Sequence, residues 1–279
     1  MTLRILTDTA ADIPDSLADE LGIGLIPLNI HFGDEQLKDR RDITGDNFFQ
    51  RLASSDVHPT TSQPSPGEFA EAYQSLIDDG ADEILFVSIH GNLSGTLDSA
   101  KQAIELVDGA RIATVDTKRV SLAQGIPAIR AAELANNGGG LDEAIALAED
   151  VIGRTKSLVI ADTLEYLKKG GRLTQSQYLL GSMLRVKPIL AVVEEPPYVT
   201  IATRVRTLKK ALETMVNMAN EDEIEWASIV QGQGQENAEI VQALMKPHVG
   251  EVPIYEVTPV LGVHLGPGTV GLHWTSAKS

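Results

Sequence analysis

Short apolar runs alternate with amphipathic stretches along this chain, and that alternation limits it to an α/β fold with a largely parallel sheet in its first half. Leu3 to Thr7 reads as a buried strand ending in Asp8-Thr9, and Pro14 opens a helix through Leu21. Leu25 to His31 reads as a second strand, and Thr44 to Leu52 as a helix with Phe48, Phe49 and Leu52 on its apolar side. Pro66 to Ile77 reads as a helix, Glu83 to Ile89 as a strand, Ser94 to Val107 as a helix and Arg111 to Val115 as a strand. Two helices follow, Val120 to Asn136 and Leu141 to Arg154, with Pro127 bending or starting the first. A second unit begins at Ser157 to Ala161. In it a helix over Gln175 to Leu184, two strands joined at Pro196-Pro197, an amphipathic helix over Arg206 to Ala219 and a further strand-helix-strand run are expected. Two α/β domains result, 1–155 and 156–279.

Two hydroxyl-rich turns stand out in this frame. In Thr60-Thr61-Ser62-Gln63-Pro64-Ser65-Pro66-Gly67-Glu68, Ser65 serves as N-cap, Pro66 as the first helical residue and Glu68 as the partner of a capping box. Asn92-Leu93-Ser94-Gly95-Thr96 leads into the next helix. Each reads as an ordinary cap taken alone. Together, as turns at helix N-termini beyond the carboxyl ends of strands, they suit one small anion.

Composition narrows the partners. The net charge of −16 disfavours DNA, RNA and anionic membranes, and aromatic content of 4% gives little surface for base stacking. The absence of cysteine excludes disulfides, thiolate metal ligands and a cysteine nucleophile. The six histidines, His31, His58, His90, His248, His264 and His273, show no metal-ligand spacing, so no metal site is expected. No apolar run is long enough to span a bilayer, and the start lacks a signal-peptide layout, so a cytoplasmic protein without stable membrane insertion is expected. The charge is uneven: Ile160 to Met215 holds nine basic and five acidic residues, +4 against −20 elsewhere. That contrast reads either as a basic face for an anionic partner or as a solvated helix face. Neither G-x-G-x-x-G after the first strand nor G-x-x-x-x-G-K-[ST] occurs.

Six motifs in order resemble the DegV family of fatty-acid-binding proteins: Thr7 to Pro14, Thr61 to Phe69, Leu93 to Thr96, Leu164 to Arg172, Lys187 to Leu190, and His264 to Gly268. The resemblance implies two α/β domains with a long-chain fatty acid in a tunnel between them and no cofactor. It also implies a role as the acyl-binding subunit of a fatty acid kinase system. A separate kinase protein would phosphorylate the bound carboxylate, giving acyl phosphate for phospholipid synthesis, and this chain would have no catalytic residues of its own. The implied carboxylate-binding set is Thr61, Ser62, Ser94, Gly95 and His264, with N–H groups after Leu93 reinforcing it. Arg172, Arg204 and Arg206 are implied as partner-facing or head-group charges. Two departures stand out: His90 lies where many members have a serine pair, and Arg185 replaces a small polar residue before Lys187-Pro188-Ile189.

Two competing functions remain open on sequence. Ser94, His264 and Asp116 are the residue types of a hydrolase triad, although no G-x-S-x-G elbow is present. A small-molecule sensor on a similar fold is the other, although phosphate-loop glycines are missing.

Overall fold

The structure, a computed structural model, describes residues 1–173 and 186–278. The expected helix over Gln175 to Leu184 and the departure at Arg185 lie outside the described residues. The chain divides into two compact units, Met1–Asp42 with Thr61–Gly153, and Ile43–Thr60 with Arg154–Ser279. A single cut at 155 places Ile43–Thr60 in the first unit, whereas the contacts place it in the second. The reason is packing: Phe48 and Phe49 of α2 (Gly45–Ser54) are buried. A Cβ on Gly262 would stand 2.7 Å from the Phe48 ring, and one on Gly232 would stand 2.9 Å from that of Phe49. Both glycines belong to the second unit, and they let the two rings come this close.

The first unit is built on a parallel sheet in the order β2-β1-β6-β7, formed by Ile23–Ile26, Leu3–Asp8, Glu83–Ser88 and Arg111–Asp116. One face packs Leu6, Ile26, Ile84 and Phe86 against Phe69 and Tyr73 of α3 (Pro66–Asp78) and Ala100 and Ala103 of α4 (Thr96–Ile104). The long helix α5 (Leu122–Asn136) contains Pro127 in its interior, is buried on most sides and contacts β1, β2 and β6. Helices α1 (Asp15–Leu21) and α6 (Leu141–Arg154) complete the expected alternation. The single strand expected over Leu25 to His31 is two strands in different sheets. Asn29–Phe32 forms β3, the centre of a three-stranded sheet with β4 (Glu35–Lys38) and β5 (Thr60–Ser62). The intervening Pro27 removes a backbone donor and ends the first pairing.

The second unit departs from the parallel pattern. Its six-stranded sheet runs in the order β10-β9-β8-β13-β11-β12. The strands are Val199–Val205, Lys187–Val192, Thr155–Ile160, Thr269–Ser276, Ile224–Gly232 and Ile254–Glu256. Only β11 and β12 are parallel; the other neighbours are antiparallel. The C-terminal strand β13 inserts between β8 and β11, which no local pattern encodes. Helices α8 (Leu208–Ala219) and α9 (Gln235–Val249) cover one face through Leu212, Met215, Val241 and Met245. The other face carries Val159 and Leu190, packed with Leu167 of α7 (Glu165–Lys169) and Leu265 of α10 (Pro259–Leu265).

Candidate ligand-binding site

The capping box forms as the sequence implies. The Ser65 N–H donates to Glu68 Oε2 at 2.8 Å, and the Glu68 N–H donates to Ser65 Oγ at 3.2 Å. Burial opposes the charge on Glu68, but the Lys38 ammonium and the Ser65 donors outweigh it and hold its carboxyl below the usual range.

The residues before that box form an edge strand of the small sheet, not a turn. In it the Ser62 hydroxyl accepts from Asn29 Nδ2 at 3.2 Å and lies 2.9 Å from His31 Nε2, while the Gln63 carbonyl accepts from Asn29 Nδ2 at 3.1 Å. Ser62 therefore ties β5 to β3. Successive strand residues alternate between the two sides of a strand, so the bonds of Ser62 to β3 leave Thr61 to be considered separately. Gln63 is the link that sequence reading missed. A Cβ on Gly95 would stand 2.9 Å from Gln63 Nε2, so the glutamine amide lies against Gly95 at the start of α4. Its place between the hydroxyls and Pro64 was the available signal.

Half-buried Ser94 precedes α4, with its Oγ 2.8 Å from Thr96 Oγ1. Gly95 is the N-cap and supplies no side-chain cap to the helix. The Ser94 N–H is not available to reinforce an anion, because it closes a turn on the His90 carbonyl at 3.2 Å. Asp116 takes the N–H groups of Gly91 and Lys118, at 3.1 and 2.9 Å. Asp116 thus shapes the loop before α4, and Thr96 lies beside Ser94 Oγ.

His264 and Arg172 lie in the second unit, with His58 and Tyr166. His264 lies in the last turn of α10 and keeps partial exposure, but its Nδ1 is buried. Burial, then the Arg172 charge and His58, push its pKa down to about 3, so it is neutral. Burial also lowers the pKa of Arg172, whose Nη1 donates to the Gly170 carbonyl at 2.6 Å. The His58 and Tyr166 rings lie 5.8 Å apart, and burial followed by the Lys169 charge lowers the His58 pKa. Gly170 leaves room for the imidazole: a Cβ there would stand 2.1 Å from His264 Nδ1. Gly266, at φ +74°, does the same for the Tyr166 ring at 2.3 Å. The Gly170-Gly171 pair before Arg172 is the sequence signal of this cluster. Arg172 is thus a neighbour of His264. Exposed Arg204 and Arg206 sit on, and just beyond, edge strand β10. Charge on an edge strand also resists strand-to-strand aggregation. Among the described residues, no group of three or more His, Cys, Asp or Glu is placed to hold a metal ion. Nor is any helix among them long and apolar enough to cross a membrane.

These features define an α/β protein of two units with a hydroxyl-bearing helix start in one and a neutral histidine beside an arginine in the other. Residues 2–277 match the family described as "Uncharacterised protein, DegV family", and the chain belongs to that family. Protein DegV of Bacillus subtilis is 31% identical over 282 residues, covering 98% of this chain and 99% of the relative. A DegV family protein from Thermus thermophilus, whose solved structure is described by its fatty acid binding, aligns with a TM-score of 0.90 at 32% identity, over 99% of this chain and 100% of that one. The structure of DegV from Bacillus subtilis, described as a fatty acid binding protein, aligns with a TM-score of 0.88 at 29% identity, over 99% and 100% of the two chains.

Proposed function

We propose that this chain binds one long-chain fatty acid and presents its carboxylate to a separate kinase, in the cytoplasm, for acyl phosphate formation and phospholipid synthesis. The observation that carries the reading is the start of α4, where Ser94 and Thr96 hydroxyls flank a glycine N-cap covered by Gln63, in a chain whose structural relatives bind fatty acids. A helix N-terminus favours an anion, and hydroxyls orient a carboxylate without an ion pair that has to be broken at handover. Thr61 and Ser94 are the carboxylate hydroxyls of this reading. His264 is the head-group histidine of this reading, and Arg172 a partner-facing charge. A sixteen-carbon tail contributes on the order of 11 kcal/mol gross at about 0.8 kcal/mol per buried CH₂. The head group then needs only a few directed bonds.

Mass spectrometry of the denatured, purified protein should release a fatty acid, and Ser94→Ala should reduce its amount severalfold. Release of no lipid, with loss of chromogenic-ester turnover in Ser94→Ala, would establish the hydrolase instead. Purified chain with ATP, Mg²⁺ and fatty acid should form no acyl phosphate until a fatty acid kinase is added.

The exposed arginines give a further expected result. Arg204→Ala with Arg206→Ala should leave bound lipid and melting temperature nearly unchanged, and should slow kinase-dependent phosphorylation most at low ionic strength. Rim charges act on association rate and are screened by salt. Loss of lipid, or a much lower melting temperature, would make the arginines structural.

A further inference from the structure

Ser94 sits on the connection between β6 and α4, and the backbone donors of that connection can be followed one by one. The Ile89 N–H goes to Asp8 Oδ2 at 3.0 Å, and the His90 N–H to the Arg119 carbonyl at 2.9 Å. The Gly91 N–H goes to Asp116 Oδ1 at 3.1 Å, and the Asn92 N–H to His90 Nδ1 at 3.2 Å. The N–H groups of Leu93 and Ser94 both go to the His90 carbonyl, at 2.9 and 3.2 Å. Six successive donors are therefore held, three of them by His90 and two by carboxylates at the ends of β1 and β7. His90 and Asp8 are fully buried. Gly91 lets the carboxylate come close: a Cβ there would stand 2.9 Å from Asp116 Oδ2.

We propose that His90, with Asp8 and Asp116, is a positioning residue for the Ser94 hydroxyl, acting as a neutral imidazole with an unprotonated Nδ1 that accepts the N–H two residues on. This rests on the reading that Ser94 receives the carboxylate. The bond is the one an asparagine makes in an Asx-turn, where a side-chain acceptor replaces a backbone carbonyl and fixes a loop. A connection with its donors tied down presents Ser94 in one orientation before ligand arrives, which lowers the ordering cost of binding.

The chemistry separates acceptor geometry from bulk. Asparagine places its Oδ1 where the imidazole has Nδ1, whereas leucine keeps volume without an acceptor. In the full-length, delipidated protein, palmitate affinity should fall about tenfold in His90→Leu, the cost of roughly one oriented hydrogen bond. It should stay within about threefold of the parent in His90→Asn, even if that variant melts lower because it leaves a cavity. At the more exposed position, Asp116→Ala should weaken binding and Asp116→Asn should retain it. Ring-nitrogen NMR should show His90 Nδ1 unprotonated in the parent. Equal palmitate affinity in His90→Leu and His90→Asn would overturn the proposal, as would a proton on Nδ1. If the parent protein binds no palmitate, the fatty-acid reading fails. Amide exchange of Asn92, Leu93 and Ser94 then still decides the positioning role: faster exchange in His90→Leu than in His90→Asn supports it, and equal exchange overturns it.

Discussion

Below pH 6.5 this protein should lose stability steeply, because folding keeps two histidines neutral that would take up protons in the unfolded chain. Burial pushes His273 down to about 3, and burial with the Arg172 and His58 charges brings His264 to about 3. His273 lies on β13 opposite Ser228 of β11 and Ser157 of β8, with less than a tenth of each exposed. The folded pKa lies below the unfolded one, so the native state binds fewer protons between pH 3 and 6.5. Stability is complete above 6.5 and declines as pH falls through that window. One such group gives a slope of about 1.4 kcal/mol per pH unit; His273 contributes this in full, and the partly exposed His264 somewhat less. Asp8 works in the other direction. Burial, opposed by its backbone and Gln124 hydrogen bonds, raises it to about 6, so it favours the folded state most below pH 3.8 and loses that contribution as pH rises to 6. The histidines outnumber it, so urea midpoints should fall between about pH 7.5, where an unfolded histidine is neutral, and about pH 4.5, where it is protonated. His273→Leu should remove most of the decline, whatever it does to stability at pH 7, because Asp8 offsets most of what His264 contributes. A parent protein equally stable at both ends of the range would show that the two histidines are not both held neutral.

Gly170→Ala should abolish most lipid retention while leaving the backbone unstrained. Gly170 has φ −74° and ψ −6°, a conformation alanine adopts freely, so its effect comes from the Cβ placed 2.1 Å from His264 Nδ1. That overlap forces the imidazole to move, at a typical overpacking cost of about 1–3 kcal/mol. If His264 orients the head group, bound fatty acid should fall at least about tenfold. The neighbouring Gly171 is the control. It has φ +72° and nothing within 4 Å of an added Cβ, so Gly171→Ala should cost about 1 kcal/mol in backbone strain and keep its lipid. Mass spectrometry of released lipid beside melting temperatures distinguishes the two. Wild-type lipid content in Gly170→Ala would remove His264 from the site.

Local signals proved the most legible part of the site. Ser65 and Glu68 are three residues apart, and their reciprocal bonds follow from helix geometry alone. The Leu93 to Thr96 turn was readable for the same reason. Ser62 was not, because what engages its hydroxyl is Asn29 and His31, 33 and 31 residues away. Gln63 is not legible in the sequence because its place against Gly95 depends on β5 joining the small sheet. In the sequence His90 is only a departure from a serine pair, and the path of the chain from β6 into α4 is what shows its nitrogen meeting the Asn92 N–H.

By itself the sequence determined the parallel βα order of the first unit, the capping box, the hydroxyl-bearing helix start and the family, since strand and helix periods, caps and ordered motifs are written in residues close together in the chain. Only the tertiary structure decided that Ile43–Thr60 joins the second unit, that β13 inserts between β8 and β11, and that His264 and His273 are neutral. Those outcomes depend on which apolar surfaces meet and which charges lose water, and both are set by residues far apart along the chain.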